Sequence, residues 1–143
     1  MKSIVSEAIC FMLFITRHIR RGDVKAGILA LLIELGFHSN ADGFNYLRDA
    51  IYLKATRPYL RFNDVCVELA KNCEYPISYR QIDQAIRTLI DATWINCDLE
   101  KWSVVLPQGK SKQLVKPTNS VFVAQIACVI ELWISGVERN DAE

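Results

Sequence analysis

Histidine is scarce in this chain: His18 and His38 are the only two among 143 residues, and neither has a second histidine or a cysteine at ligand spacing. A His/Cys metal site is therefore not expected, and general-base chemistry would have to rest on scattered carboxylates. The motifs that carry a catalytic mechanism are missing as well. There is no G-x-S-x-G, no glycine-rich phosphate loop and no H-E-x-x-H, so neither an enzyme nor a cofactor is expected. Cys10, Cys66, Cys73, Cys97 and Cys128 are odd in number and form no C-x-x-C pair. That pattern argues against a zinc knuckle or a disulfide framework, and for reduced thiols in a cytoplasmic protein. Charge of one sign is not in excess either: 17 Lys and Arg face 16 Asp and Glu, for a net +1. Any attraction to nucleic acid or to an anionic membrane must come from a local patch.

The apolar run AICFMLFI, Ala8 to Ile15, falls well short of the ~20 residues that span a bilayer. Glu7 upstream, the basic TRHIRR downstream and the lack of a small-residue cleavage site argue against a secretory signal, and on balance no membrane partner is expected. Lys2 to Arg21 reads as a helix apolar nearly all round, which something must cover. Three covers stay open: the domain's own core, a second copy of the chain in a homodimer, or a membrane surface.

What is present is a chain with 51% hydrophobic residues and the length of one domain, enough to bury roughly 70% of its extended surface. Its periodicity is helical. Asp23 can cap a helix through AGILALLIEL that stops at Gly36. Asn40 or Asp42 opens another, with Phe44, Leu47 and Ile51 on one side, ending before Pro58. Phe62, Val65, Leu69 and Cys73 mark a short helix that Pro76 cannot continue. Ser78 and Gln81 then form a capping-box pattern at the head of a helix over 78–94. Its apolar stripe is Ile82, Ala85, Ile86, Leu89, Ile90 and Thr93. The opposite face collects Arg80, Gln84, Arg87, Thr88 and Asp91, with Gln81 and Asp83 at the margins.

After Trp94 the chain reads as an exposed connection, lysine-rich between Pro107 and Lys116, with a doubtful strand around Trp102 to Leu106. Thr118, Asn119 and Ser120 can each cap a last helix carrying Phe122, Ile126, Val129, Ile130 and Trp133, which Gly136 closes. The expected fold is all-α, with an N-terminal helix over 1–22, a domain over 23–136 and a frayed tail over 137–143.

Two short helices joined by a turn, the second offering polar side chains from its first turns, is the layout of a helix-turn-helix. Any helical bundle also shows apolar stripes and polar faces, and local charge does not decide. Between Phe62 and Cys97, Lys71, Arg80 and Arg87 face Asp64, Glu68, Glu74, Asp83 and Asp91, a net of −2. Phosphate binding wants a positive surface. Lys110, Lys112 and Lys116, with Arg57 and Arg61, are the cations available to supply it.

Three segments carry a resemblance. GFNYLRDAI (Gly43 to Ile51), QAIRTLIDATW (Gln84 to Trp94) and KPTNSVFVA (Lys116 to Ala124) resemble, in order and approximate spacing, the C-terminal effector domain of the stage-zero sporulation response regulator A family. The similarity runs from about Lys25 to Trp133, and K-P-T-N-S is its most specific part. The resemblance implies a six-helix, helix-turn-helix unit that binds double-stranded promoter DNA, often as tandem copies, and regulates transcription, with RNA polymerase as a further partner. It puts the recognition helix at Ser78 to Trp94. The family's base-contacting acid falls on Asp83, its first reading arginine on Gln84, its second on Arg87 and the neighbouring histidine on Thr88. Lys116 matches the phosphate-touching lysine, and Arg80 and Gln81 stand at the helix start.

The chemistry suits these roles. Arg87 can fork onto guanine, Gln84 can pair with adenine, and Asp83 can accept from a cytosine amino group. Each residue also has a plainer reading: solvated surface for Arg87, Gln84 and Thr88, a cap for Gln81, an ion pair with Arg80 or Arg87 for Asp83, and neutralisation of a nearby carboxylate for Lys116. The sequence departs from the family in two ways. Gln84 replaces an arginine, which implies a different target box or a weaker affinity. Only Met1 to Gly22 precede the domain that carries the resemblance, against the roughly 100 residues a domain usually takes, so the expectation is an effector domain without a receiver. The rival expectation is a protein-interaction module that keeps the helical pair and has lost specific DNA binding.

Overall fold

The computed structural model describes residues 23–106 and 115–141, so the expected N-terminal helix over 1–22 and most of the lysine-rich connection lie outside the described residues. Six helices make up the described fold: α1 (Val24–Glu34), α2 (Phe44–Thr56), α3 (Phe62–Lys71), α4 (Tyr79–Ile95), α5 (Leu99–Val105) and α6 (Asn119–Asp141). Among the described residues there is no strand, and the all-α expectation holds.

The helix ends follow from local chemistry. The Asp23 carboxylate accepts from the Ala26 amide at 3.0 Å and caps α1. At the other end Gly36 takes φ +100°, and the amides of Gly36 and Phe37 reach back to the carbonyls of Ile33 and Leu32 at 3.0 Å each. This is the pairing of a Schellman turn, which only a residue at ease with positive φ closes without strain.

The start of α2 differs from expectation. Neither Asn40 nor Asp42 caps it; the cap is Gly43, at φ +87° and with no side-chain bond. A Cβ at Gly43 would stand 2.7 Å from the Ala85 carbonyl oxygen, so this glycine lets α2 begin directly against the backbone of α4. The first family-like segment, GFNYLRDAI, therefore starts at a position where no side chain fits.

Beyond α4 the expected exposed connection contains a helix. Asp98 accepts from the amides of Glu100 and Lys101 and starts α5, which occupies the stretch read as a doubtful strand. Trp102 is fully buried, and its indole N–H donates to the Leu35 carbonyl at 2.8 Å. The ring stacks on Phe37 at 5.7 Å, meets Phe122 at 5.4 Å and is met edge-on by Trp94 at 5.5 Å. One short helix thus closes an aromatic cluster that joins the turn after α1 to α4 and α6.

The last helix starts at one of its expected caps and departs from expectation at its far end. Thr118 caps it, its hydroxyl accepting from the Val121 amide, and it runs through Gly136 to Asp141 instead of stopping at the glycine. A single glycine costs a helix only about 1 kcal/mol. α2 lies at the centre of the fold, packed on α1, α3, α4 and α6, and α3 packs on α4.

Candidate nucleic-acid interface

Helix α4 is fixed at its head by both halves of a capping box. The Ser78 hydroxyl accepts from the Gln81 amide at 3.2 Å, and the Gln81 side-chain oxygen accepts from the Ser78 amide at 2.8 Å. Gln81 is engaged as a cap, the plainer of its two readings. The connection from α3 is seven residues, 72–78, longer than the three or four of the tightest helix-turn-helix units. It is pinned to α2 by the Tyr75 and Tyr46 hydroxyls, 2.8 Å apart. That bond, with desolvation added, pushes the Tyr46 phenol up to about 12.

The inward stripe of α4 is buried at Ile82, Ile86, Leu89 and Ile90, while Trp94 is only half-buried. The outward row is open. Arg80, Gln81, Gln84, Arg87 and Thr88 are all exposed. At 100° per residue Arg80, Gln84, Arg87 and Asp91 fall within about 60° of arc, so they form one line along the helix. The Gln84 amide donates to the Thr88 hydroxyl at 3.2 Å, and the Arg80 guanidinium lies over the Tyr79 ring at 5.8 Å.

Asp83 stands apart from that row. It is half-buried, one carboxylate oxygen accepts from the Asn119 amide at 2.6 Å, and the other meets the Arg87 guanidinium at 3.5 Å. The Asn119 amide also donates to the Asp83 backbone carbonyl at 2.8 Å. Burial pushes the Cys66 thiol on α3 up to about 12, and the Asp83 carboxylate adds to the effect. Of the two readings of Asp83, the geometry contains the ion pair with Arg87.

Lys116 lies on the side of α4 that carries the outward row. Its ammonium is 3.0 Å from the Asp91 carboxylate, with both side chains about half exposed. The K-P-T-N-S segment therefore flanks α4 along its length, through Asn119 at Asp83 and Lys116 at Asp91. Sequence periodicity gave Asn119 only as one of three capping candidates. Its tertiary bond spans 36 residues, and no local pattern could reveal it.

Next to Asn119 a groove of about 440 Å3 opens between α2, α3 and α6, bordered by Lys54, Arg61, Asn63, Ser120 and Val123. No carboxylate lines it, and Arg61, one of the cations the sequence offered, forms no ion pair among the described residues. Lys54 donates to the backbone carbonyls of Pro58 and Leu60 and forms no ion pair among the described residues.

The arrangement defines a class: an all-α effector domain whose fourth described helix presents a polar row beside a basic flank. A family model described as "Sporulation initiation factor Spo0A C terminal" matches residues 28–130, well over half of the chain, and the protein belongs to that family of DNA-binding sporulation regulators. Among the described residues no helix is long and apolar enough to cross a membrane.

Proposed function

We propose that this domain is a sequence-specific transcription regulator that lays the outward row of α4 in the major groove of double-stranded DNA. Arg80, Gln84, Arg87 and Thr88 face the base edges, and Lys116 touches the phosphate backbone. The single observation that supports this best is the pairing of an exposed polar row with Lys116 on the same flank of α4. Had that row been covered by the chain itself, or had Lys116 stood on the far side, no duplex could meet both. The side chains suit their tasks. Arginine forks onto guanine O6 and N7, glutamine pairs with adenine N6 and N7, and a lysine at a backbone position adds affinity without sequence preference.

Asp83 and Gln81 contribute by holding the helix and its arginine in place. The missing positive charge comes from Lys116 and from Arg61 and Lys54 in the neighbouring groove, where the first helix of the unit would pass the backbone. A regulator of this kind works in the cytoplasm, on tandem sites or as a homodimer that doubles a modest set of phosphate contacts, and acts on RNA polymerase nearby. Light scattering with and without residues 1–21 tests the homodimer; a monomer mass in both would remove residues 1–21 as its cause.

Selection from a pool of random duplexes at two salt concentrations tests the central reading. A reader of bases enriches one box, and Lys116→Ala then weakens all sequences about equally while lowering the salt slope by about 1. Failure to enrich any box would favour the protein-interaction module, a reading consistent with the net −2 across Phe62 to Cys97.

A further inference from the structure

Asn119 is the one buried polar residue of the described core, 7% exposed, and its amide nitrogen donates twice to Asp83. A side-chain amide buried this deeply must find partners. What is notable is which partner it has. The Asp83 carboxylate could turn freely at the margin of α4, yet one oxygen is held by Asn119 at 2.6 Å, which orients the other toward Arg87 at 3.5 Å. Arg87 is itself 58% exposed and has no other ion-pair partner among the described residues. Left alone, an exposed arginine samples many rotamers, and binding must immobilise it at an entropic cost. A fixed carboxylate four residues back narrows that search.

From these contacts we infer that Asn119 is a positioning residue for base reading. Without touching DNA, it locks Asp83, and Asp83 in turn sets where the Arg87 guanidinium stands. The inference rests on the proposed reading of DNA by α4 and deepens it. Part of the sequence preference then resides in α6, outside the helical pair that enters the groove. An ordinary structural role for Asn119 predicts something different: a loss of stability, and with it an equal loss of binding to every sequence.

The test is a double-mutant cycle on DNA discrimination, read as the ratio of affinities for the selected box and for a box changed at the base pair that Arg87 reads. Asn119→Ala lowers that ratio about three- to fivefold, within the range of coupling between neighbouring residues and no more than an exposed ion pair contributes. It leaves low-salt binding to unrelated duplexes and the salt slope as they were, because no phosphate contact is lost. In an Arg87→Ala background the same change has no further effect on the ratio. Asp83→Asn serves as the second variant. It keeps an acceptor for Asn119 and removes the charge that holds Arg87, so it reproduces the loss of discrimination in a chain that retains its packing.

Thermal melting of each variant separates folding from reading. An unchanged ratio in a folded Asn119→Ala or Asp83→Asn protein overturns the inference, and so does a loss that adds to that of Arg87→Ala. If the unaltered protein itself discriminates no box, the reading by α4 fails and takes the inference with it, an outcome that does not resemble either of the others.

Discussion

The two faces of α4 are built on opposite terms. Inward, Ile82, Ile86, Leu89 and Ile90 are 0–6% exposed and lie in a core with Phe44, Trp102 and Phe122. Outward, the side chains that face solvent are held by polar contacts at or near the surface: Arg87 to the half-buried Asp83 at 3.5 Å, Lys116 to Asp91 at 3.0 Å, Gln84 to Thr88 at 3.2 Å. Buried apolar area stabilises by roughly 25 cal/mol per Å2, whereas exposed ion pairs contribute about 0–1 kcal/mol. Stability therefore belongs to one face, and the other is free to exchange its internal partners for a ligand at little cost. Substitutions on the two faces should separate folding from binding.

The largest effect is expected inside. Trp102→Ala removes the ring that joins Phe37, Trp94 and Phe122, at about 3 to 5 kcal/mol, and leaves the Leu35 carbonyl without its donor. Denaturant titration checks it; a loss below about 1 kcal/mol would mean that α5 is not part of the cooperative core. Gly43→Ala comes next. Its left-handed backbone costs about 1 to 2 kcal/mol for any residue with a Cβ, and the contact with the Ala85 carbonyl adds overpacking of about 1 to 3 kcal/mol. A variant as stable as the parent would contradict the close approach of α2 to α4.

On the outward face, Arg87→Ala should leave the melting curve within about 0.5 kcal/mol of the parent and remove about 1 to 3 kcal/mol of discrimination at one base pair. Paired measurements of unfolding and DNA binding sharpen the contrast, and a strong loss of stability would blur it. The smallest effect has the opposite sign. Asp91→Asn frees Lys116 from its carboxylate and should raise affinity for all duplexes by at most about 1 kcal/mol, more at low salt than at high. Weaker binding would show that Asp91 takes part in recognition directly.

Much of this division was legible in the sequence. The 3.6-residue spacing of apolar positions identified both faces of α4, and Ser78 with Gln81 marked its start, since a capping box is a local device with a local signature. Charge alone offered Lys116 only as one of five cations, and its segment's likeness to a family is what singles it out. Four features escaped, for physical reasons. α5 is only seven residues long, too short to show a helical period, and Trp102, Val104 and Leu106 mimicked the alternation of a strand. Gly43 acts through its lack of a side chain beside a backbone that is distant in sequence. The bond from Asn119 to Asp83 joins a residue read as a cap to one read as a base contact, and only the packing of α6 against α4 brings them together. Gly136 has the residue type of a helix stop, and its low cost inside a helix explains why α6 continues past it.

The most direct test follows backbone amide resonances while a selected duplex is added at moderate salt. The account predicts shifts concentrated on Tyr79 to Thr88 and around Lys116, with the buried amides of Leu89 and Ile90 moving far less. Shifts that avoid α4 and gather on another surface, at saturating duplex, would contradict it.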